Sequence, residues 1–154
     1  MQTISFIKTM AEWEVNMENT AAKITKAFFD SKDYHVDVVG DTSEILLAAF
    51  GMKNCPGVRV AMFFDSDSSS AQIKTVEFVK VPEEKRTMMC EVCNLLNDRF
   101  RWAKFCIDDK GIMVVSDDAV LQLDSCGEEM LRCCVQLVGI CDEAYPMIMK
   151  ALYS

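Results

Sequence analysis

Four short segments with strand-like patterns follow one another between residues 34 and 81, and only short polar turns join them. In the first segment, Val36 and Val38 alternate with polar residues, which is the pattern of a strand with one buried face. In the fourth segment, the apolar pattern changes phase between Phe78 and Val79, which indicates a bulge. Parallel neighbours need crossovers of about a dozen residues, so connections this short predict antiparallel pairing.

Segments with helical spacing lie before and after these strands. The first helix is predicted from about Glu18 to Ser31, the second from Pro82 to about Asn97, and the third from Ser125 onward. Ser125 begins a capping-box sequence. A hairpin formed by Trp102–Ile107 and a strand starting at Ile112 separates the last two helices. This order predicts an α+β fold: a twisted antiparallel sheet of about five to six strands with three helices.

A single domain is expected for residues 1–154, because the sequence has no internal repeat and no linker long enough to divide it. Residues 1–16 form an N-terminal extension with an ambiguous pattern. Their alternation at Ile4, Phe6 and Lys8 fits a strand, but a longer helical repeat leads us to predict a helix. The repeat consists of Ile4, Ile7, Met10, Trp13 and Met17.

The same N-terminal residues lack the unbroken apolar stretch of a signal peptide, because Lys8, Glu12 and Glu14 interrupt it. No apolar run in the sequence reaches the roughly 18 residues that span a bilayer. The net charge is −8, with 16 basic against 24 acidic residues. Binding to nucleic acid or to an anionic membrane surface depends on basic residues, so neither is expected. We therefore expect a cytoplasmic protein.

The third predicted helix carries more apolar surface than one sheet can cover. At 100° per residue its apolar side chains sweep an arc of about 220°, against about 160° for the second helix. The excess must meet either the first helix or another molecule. We expect a protein partner, and a homodimer in particular. The residues selected for this partner or dimer surface are Met88, Val92, Met130, Leu131, Cys134, Leu137, Val138 and Cys141.

Eight cysteines raise the alternative of a cysteine-based metal or redox sensor. Cys90 and Cys93 have the Cys-x-x-Cys spacing, but Cys90 falls about two turns inside the second helix, away from the terminus that would activate it. A structural zinc needs four ligands, and no second pair of this spacing exists. Buried thiols that pack as small apolar side chains are therefore expected, with no metal and no cofactor.

Catalytic residues are not expected either. His35 is the only histidine, and with Asp37 on the same strand face it is interpreted as an exposed pair. The six glycines are scattered and form no phosphate-binding loop. These features predict a non-catalytic protein that binds other proteins.

Two sequence runs resemble a known family. They are Pro82-Glu83-Glu84-Lys85-Arg86 and the segment from Asn94 to Phe105, which contains Asn94-x-x-Asn97 followed by an aromatic hairpin with Trp102. Asp108-Asp109-Lys110-Gly111 and Asp142-Glu143-Ala144-Tyr145-Pro146 also fit. Over residues 17–154 the chain resembles the YbjN-like family, which is described as bacterial sensory transduction regulators.

The resemblance implies the fold of type III secretion chaperones, whose members bind protein segments and often dimerise, commonly through the middle helix. It implies no catalytic residues. Asn94 and Asn97 lie near the end of the second helix, where amide side chains can bond free carbonyls or the following turn. A structural role is therefore predicted for both. The function predicted overall is that of a chaperone-like or regulatory binding domain that acts through apolar helix surface.

Overall fold

The computed structural model describes residues 19–40 and 44–154, so the helix predicted within residues 1–16 lies outside the described residues. The described residues form three α-helices and one antiparallel sheet of seven strands. The helices are α1 (Thr20–Ser31), α2 (Arg86–Arg99) and α3 (Cys126–Leu152). The strands are β1 (Val36–Val39), β2 (Ile45–Phe50), β3 (Val58–Phe64), β4 (Ser70–Val76), β5 (Val79–Lys80), β6 (Lys104–Ile107) and β7 (Ile112–Val120). A short 3-10 turn, Glu83–Lys85, leads into α2.

The sheet runs β1-β2-β3-β4-β7, and β7 also pairs with β5 and β6. One edge of β7 pairs with β4 and then β5, while β6 occupies its other edge. The bulge predicted in the fourth strand is a complete break at Glu77 and Phe78, where Glu77 takes a φ of 50°. Beside the break, the Thr75 hydroxyl accepts a hydrogen bond of 2.9 Å from the Val115 amide. This break adds a strand to the sheet, which has seven strands where about five to six were predicted.

The three helices cover one face of the sheet, and the side chains beneath them form one apolar core. Along the strands, most side chains alternate between the face under the helices and the opposite face. In β3, Val60 and Met62 are fully buried towards the helices, whereas Arg59 and Phe63 point to the opposite face and are exposed. We call that opposite side, which none of α1, α2 and α3 covers, the open face.

Helix α1 packs along α3 at very short range. A Cβ atom at Gly127 would lie 2.5 Å from Cβ of Phe28, so the contact leaves no room for any side chain at this position. One turn away on α1, the Thr25 hydroxyl lies 4.0 Å from Sγ of Cys126. Much of the apolar surface of α3 that the sheet leaves uncovered is therefore covered by α1.

This packing corrects the surface predicted on the third helix. Met130, Cys134, Leu137, Val138 and Cys141 are each 0 to 2% exposed and belong to the core of a single chain. The side-chain spacing gave the amount of apolar surface correctly, but the element that covers it is α1. On this helix Leu131 is half-buried and Val135 is 47% exposed.

A carboxylate on α3 fixes the loop between β2 and β3. Oδ1 of Asp142 accepts hydrogen bonds from the backbone amides of Asn54 at 2.6 Å and Cys55 at 3.1 Å. The Asn54 side-chain amide lies 3.3 Å from Oδ2 of the same residue. Hydrogen bonds to a charged acceptor are roughly twice as strong as neutral ones.

Replacing Asp142 with alanine is therefore expected to lower the free energy of unfolding by about 1–3 kcal/mol, because both loop amides lose their acceptor. Urea unfolding of the variant measures this directly. The neighbouring Glu143→Ala provides the control, because Glu143 is exposed. Equal stability of the two variants would show that the loop is held by other contacts.

Candidate protein-binding surface

Helix α2 buries one side and exposes apolar residues on another. Met89, Cys93 and Leu96 are at most 5% exposed and face the core. Met88 and Leu95 are 37% and 67% exposed, and Val92 between them is half-buried. At 100° per residue, positions 88, 92 and 95 fall within an arc of about 60°. We call Met88, Val92 and Leu95 the α2 stripe.

Opposite charges lie at the two ends of the α2 stripe. Glu84 in the 3-10 turn and Arg99 in the last turn are both exposed, and Arg99 falls within the arc of the stripe. The Arg99 guanidinium lies 5.7 Å from the ring centre of Phe100. The surface thus has an acidic end, an apolar middle and a basic end.

Asn97 joins α2 to the strand that follows it. Its side-chain amide donates to the Phe105 carbonyl at 3.0 Å, and its carbonyl oxygen accepts from the Phe105 amide at 2.6 Å. The side chain therefore bonds the backbone of β6 as a neighbouring strand would. Asn97 thus bonds the backbone that follows the helix, whereas Asn94 lies exposed on α2.

Trp102 lies three residues beyond the end of α2 and is 59% exposed. Its φ of 71° places a bulky side chain in the left-handed region, which costs about 1–3 kcal/mol. The Arg101 guanidinium lies 5.0 Å from the indole ring centre. A large exposed aromatic side chain therefore follows the C-terminal end of α2.

The predicted residue set and the observed surface overlap only in part. Met88 and Val92 lie on the α2 stripe, together with Leu95, the most exposed of the three, which had not been selected. A signal for Leu95 was present in the sequence. It lies at one edge of the apolar arc of α2, and edge positions are the first to be left uncovered when a helix packs on a sheet.

The cysteines differ in exposure and acidity. Cys90 and Cys106 are exposed. Burial raises the pKa of Cys93 to about 11 and that of Cys141 to about 12, and it also raises the pKa of Cys134. Because the thiolate is the nucleophile, raised pKa values leave these thiols unreactive at neutral pH. Cys93 is thus a poor redox partner for Cys90, which weighs against the sensor alternative.

In the native protein at pH 8, we expect Cys90 to react with a thiol reagent before Cys93, Cys134 and Cys141. A thiol with a pKa near 11 is only about one part in a thousand thiolate at that pH, and burial limits access further. Timed alkylation followed by peptide mass spectrometry ranks the sites. Denatured protein is the control, in which all sites should react alike. If Cys93 were labelled as fast as Cys90, the result would support a redox pair formed by these two cysteines.

The histidine that could take part in catalysis is exposed to solvent. His35 Nε2 lies 2.9 Å from Oδ1 of Asp37, and both side chains are mostly exposed. Among residues 19–40 and 44–154, no three His, Cys, Asp or Glu side chains are placed to hold a metal ion together. No helix in these ranges has the length and apolar character of a membrane span.

Comparison with known proteins places the chain in a family. Residues 24–150 match the family model YbjN, described as "Putative bacterial sensory transduction regulator". The chain belongs to the YbjN family. Asn97, Trp102 and the α2 stripe all lie within the matched region. No curated protein sequence matches the chain.

Two solved structures share the fold of this YbjN-family chain. YbjN from E. coli is 11% identical, with a TM-score of 0.57, covering 79% of this chain and 89% of that one. A chain of the ExsC–ExsE complex is 13% identical, with a TM-score of 0.53, covering 86% of this chain and 96% of that one. The predicted arrangement of three helices on an antiparallel sheet is confirmed.

Proposed function

We propose that this YbjN-family chain is a non-catalytic, chaperone-like or regulatory domain of the cytoplasm that binds protein through the α2 stripe. A second copy of the chain is the partner that fits this surface best, so the protein is a homodimer. The observation that carries the proposal is the α2 stripe, with exposed Met88 and Leu95, half-buried Val92 between them, and the opposite charges of Glu84 and Arg99 beyond its ends.

The charge order makes this line self-complementary. When two copies of α2 pack antiparallel about a two-fold axis between positions 91 and 92, Met88 of one copy meets Leu95 of the other. The same axis brings Glu84 of one copy opposite Arg99 of the other. An interface between identical subunits related by a two-fold axis must match itself in this way. Antiparallel helix dipoles add to the complementarity.

The family and the structural neighbours support a protein-binding role. The family is described as regulatory. One structural neighbour was determined as a complex, ExsC with ExsE. Neither comparison names an enzyme activity, and the described residues contain no cluster of reactive side chains beside the α2 stripe.

Sedimentation equilibrium over a dilution series tests the dimer and its orientation. We expect wild-type protein at twice the mass of one chain. Either reversal alone, Glu84→Arg or Arg99→Glu, should weaken association several-fold, because rim charge pairs contribute about 0.2–1 kcal/mol each and like charges repel. The joint reversal should restore the wild-type affinity. A monomeric wild type would contradict the proposal, and additive losses in the double variant would contradict the antiparallel arrangement.

A further inference from the structure

The open face of the sheet forms a broad concave groove of about 1060 Å³. Its floor is apolar: Phe63 is 38% exposed, Val114 and Ile112 are half-buried, and Cys106 is exposed. None of α1, α2 and α3 packs against this side. Exposed apolar floors of this kind are uncommon in proteins that work without a partner there.

Four lysines line this groove in a chain whose net charge is −8. They are Lys74, Lys80, Lys104 and Lys110. Lys74 and Lys104 both pair with Ser116, from opposite sides of β7, so two like charges flank one buried serine. Like charges on one face of the sheet favour an anionic occupant.

The two carboxylates in the lining are already engaged. Glu77 lies 2.7 Å from the Arg59 guanidinium. Asp108 accepts hydrogen bonds of 2.9 Å from the backbone amides of Lys110 and Ile112. Among the described residues, no ion pair uses the four groove lysines. The groove therefore offers positive charge above an apolar floor.

The residues that precede α1 have the complementary composition. Residues 1–18 carry Glu12, Glu14 and Glu18 against one basic side chain, Lys8. Seven apolar residues accompany these charges, beyond Met1 and Ala11. They are Ile4, Phe6, Ile7, Met10, Trp13, Val15 and Met17. This stretch lies outside the region that matches the family model, residues 24–150.

The start of α1 is held against the turn at one end of two strands that form the groove. The Asn19 side-chain amide donates to the Asp65 carbonyl at 2.8 Å, and the Ala21 amide donates to the Ser68 hydroxyl at 3.2 Å. Both acceptors belong to the turn that joins β3 to β4, two strands that form the groove. The sixteen residues from 2 to 17 could span up to about 53 Å when extended. The four strands β3, β4, β7 and β6, which are neighbours in that order, occupy only about 15 Å across the sheet.

We infer that residues 2–17 of this chain lie across the open face, with Glu12 and Glu14 against the groove lysines and apolar side chains, Trp13 among them, on the floor. The segment fills the groove that the helices leave uncovered. A segment of another protein with the same acidic and apolar character would have to displace it.

Zero-length carbodiimide cross-linking of the full chain tests this placement. We expect peptides that join Glu12 or Glu14 to Lys74, Lys80, Lys104 or Lys110. A mixture of isotope-labelled and unlabelled chains identifies where each cross-link forms. Links within one chain support the inference, whereas links only between chains assign the groove to a second copy and overturn it. The Leu95→Glu variant should give the same links, which separates this result from the dimer proposal.

A charge-reversed variant provides the second measurement. In a Trp102→Phe background Trp13 is the only remaining tryptophan, because the sequence has two. Lys74→Glu with Lys104→Glu should abolish the cross-links, shift Trp13 emission to the red and increase its quenching by acrylamide.

The matched control, Lys23→Glu with Lys150→Glu, reverses two exposed lysines on the helices and should change nothing. Circular dichroism verifies that each variant is folded. Equal quenching of Trp13 in both variants, or cross-links that survive the groove reversal, would overturn the inference.

Discussion

Replacing Leu137 with alanine is expected to lower the free energy of unfolding by about 3–4 kcal/mol. The side chain is 1% exposed, and it lies in the core that the sheet, α1 and α3 share. The loss combines the transfer free energy of the removed methyl groups with the cavity they leave. Chemical denaturation at several protein concentrations measures this loss.

Val135 lies two residues earlier on the same helix and is 47% exposed, so Val135→Ala is the matched control. Its expected loss is within about 0.5 kcal/mol. If α3 instead used the Leu137 side to meet a partner, Leu137→Ala would reduce association and leave the stability of the monomer nearly unchanged. That outcome would support the partner surface that the sequence predicted on the third helix.

Replacing Leu95 with glutamate is expected to convert the dimer to monomer at micromolar concentration. Leu95 is 67% exposed in one chain, so a charge there costs the monomer little. In the proposed antiparallel dimer it meets Met88 of the second copy, and a carboxylate at that place would be buried without a partner at both ends of the interface. Buried unpaired charges cost several kcal/mol, which corresponds to a loss of affinity of about a thousandfold or more.

Light scattering coupled to gel filtration reports the mass of the variant, and thermal unfolding verifies that it remains folded. Val135→Glu is the control, because it places the same charge at an exposed apolar position on α3. If the Leu95→Glu protein kept the wild-type dimer mass, the α2 stripe would not be the dimer interface.

Local patterns in the sequence were sufficient to predict most of the fold. The phase change between Phe78 and Val79 marks the break between β4 and β5, since a residue added to a strand reverses which side chains face the core. The polar turns gave the antiparallel order. The Ser125 side chain makes no capping hydrogen bond, so the capping box was wrong, although Ser125 does precede the first residue of α3.

Long-range packing could not be read in the same way. The spacing along α3 shows how much apolar surface the helix has, but not whether α1, the sheet or another molecule covers it. The deciding feature is the contact of Gly127 with Phe28, two residues about a hundred positions apart. Leu95 was left out of the predicted surface for the same reason. Leu95 and Met89 both lie in the apolar arc of α2, and only tertiary packing buries one and exposes the other.

The most direct test of the α2 interface is a disulfide at its centre. Val92 lies beside the proposed two-fold axis, so cysteines at this position in two copies would face each other. In a background with Cys90→Ser and Cys106→Ser, mild oxidation of Val92→Cys should give a covalent dimer on a non-reducing gel. Val135→Cys in the same background should remain monomeric. Equal cross-linking of the two variants, or none at position 92, would contradict the account.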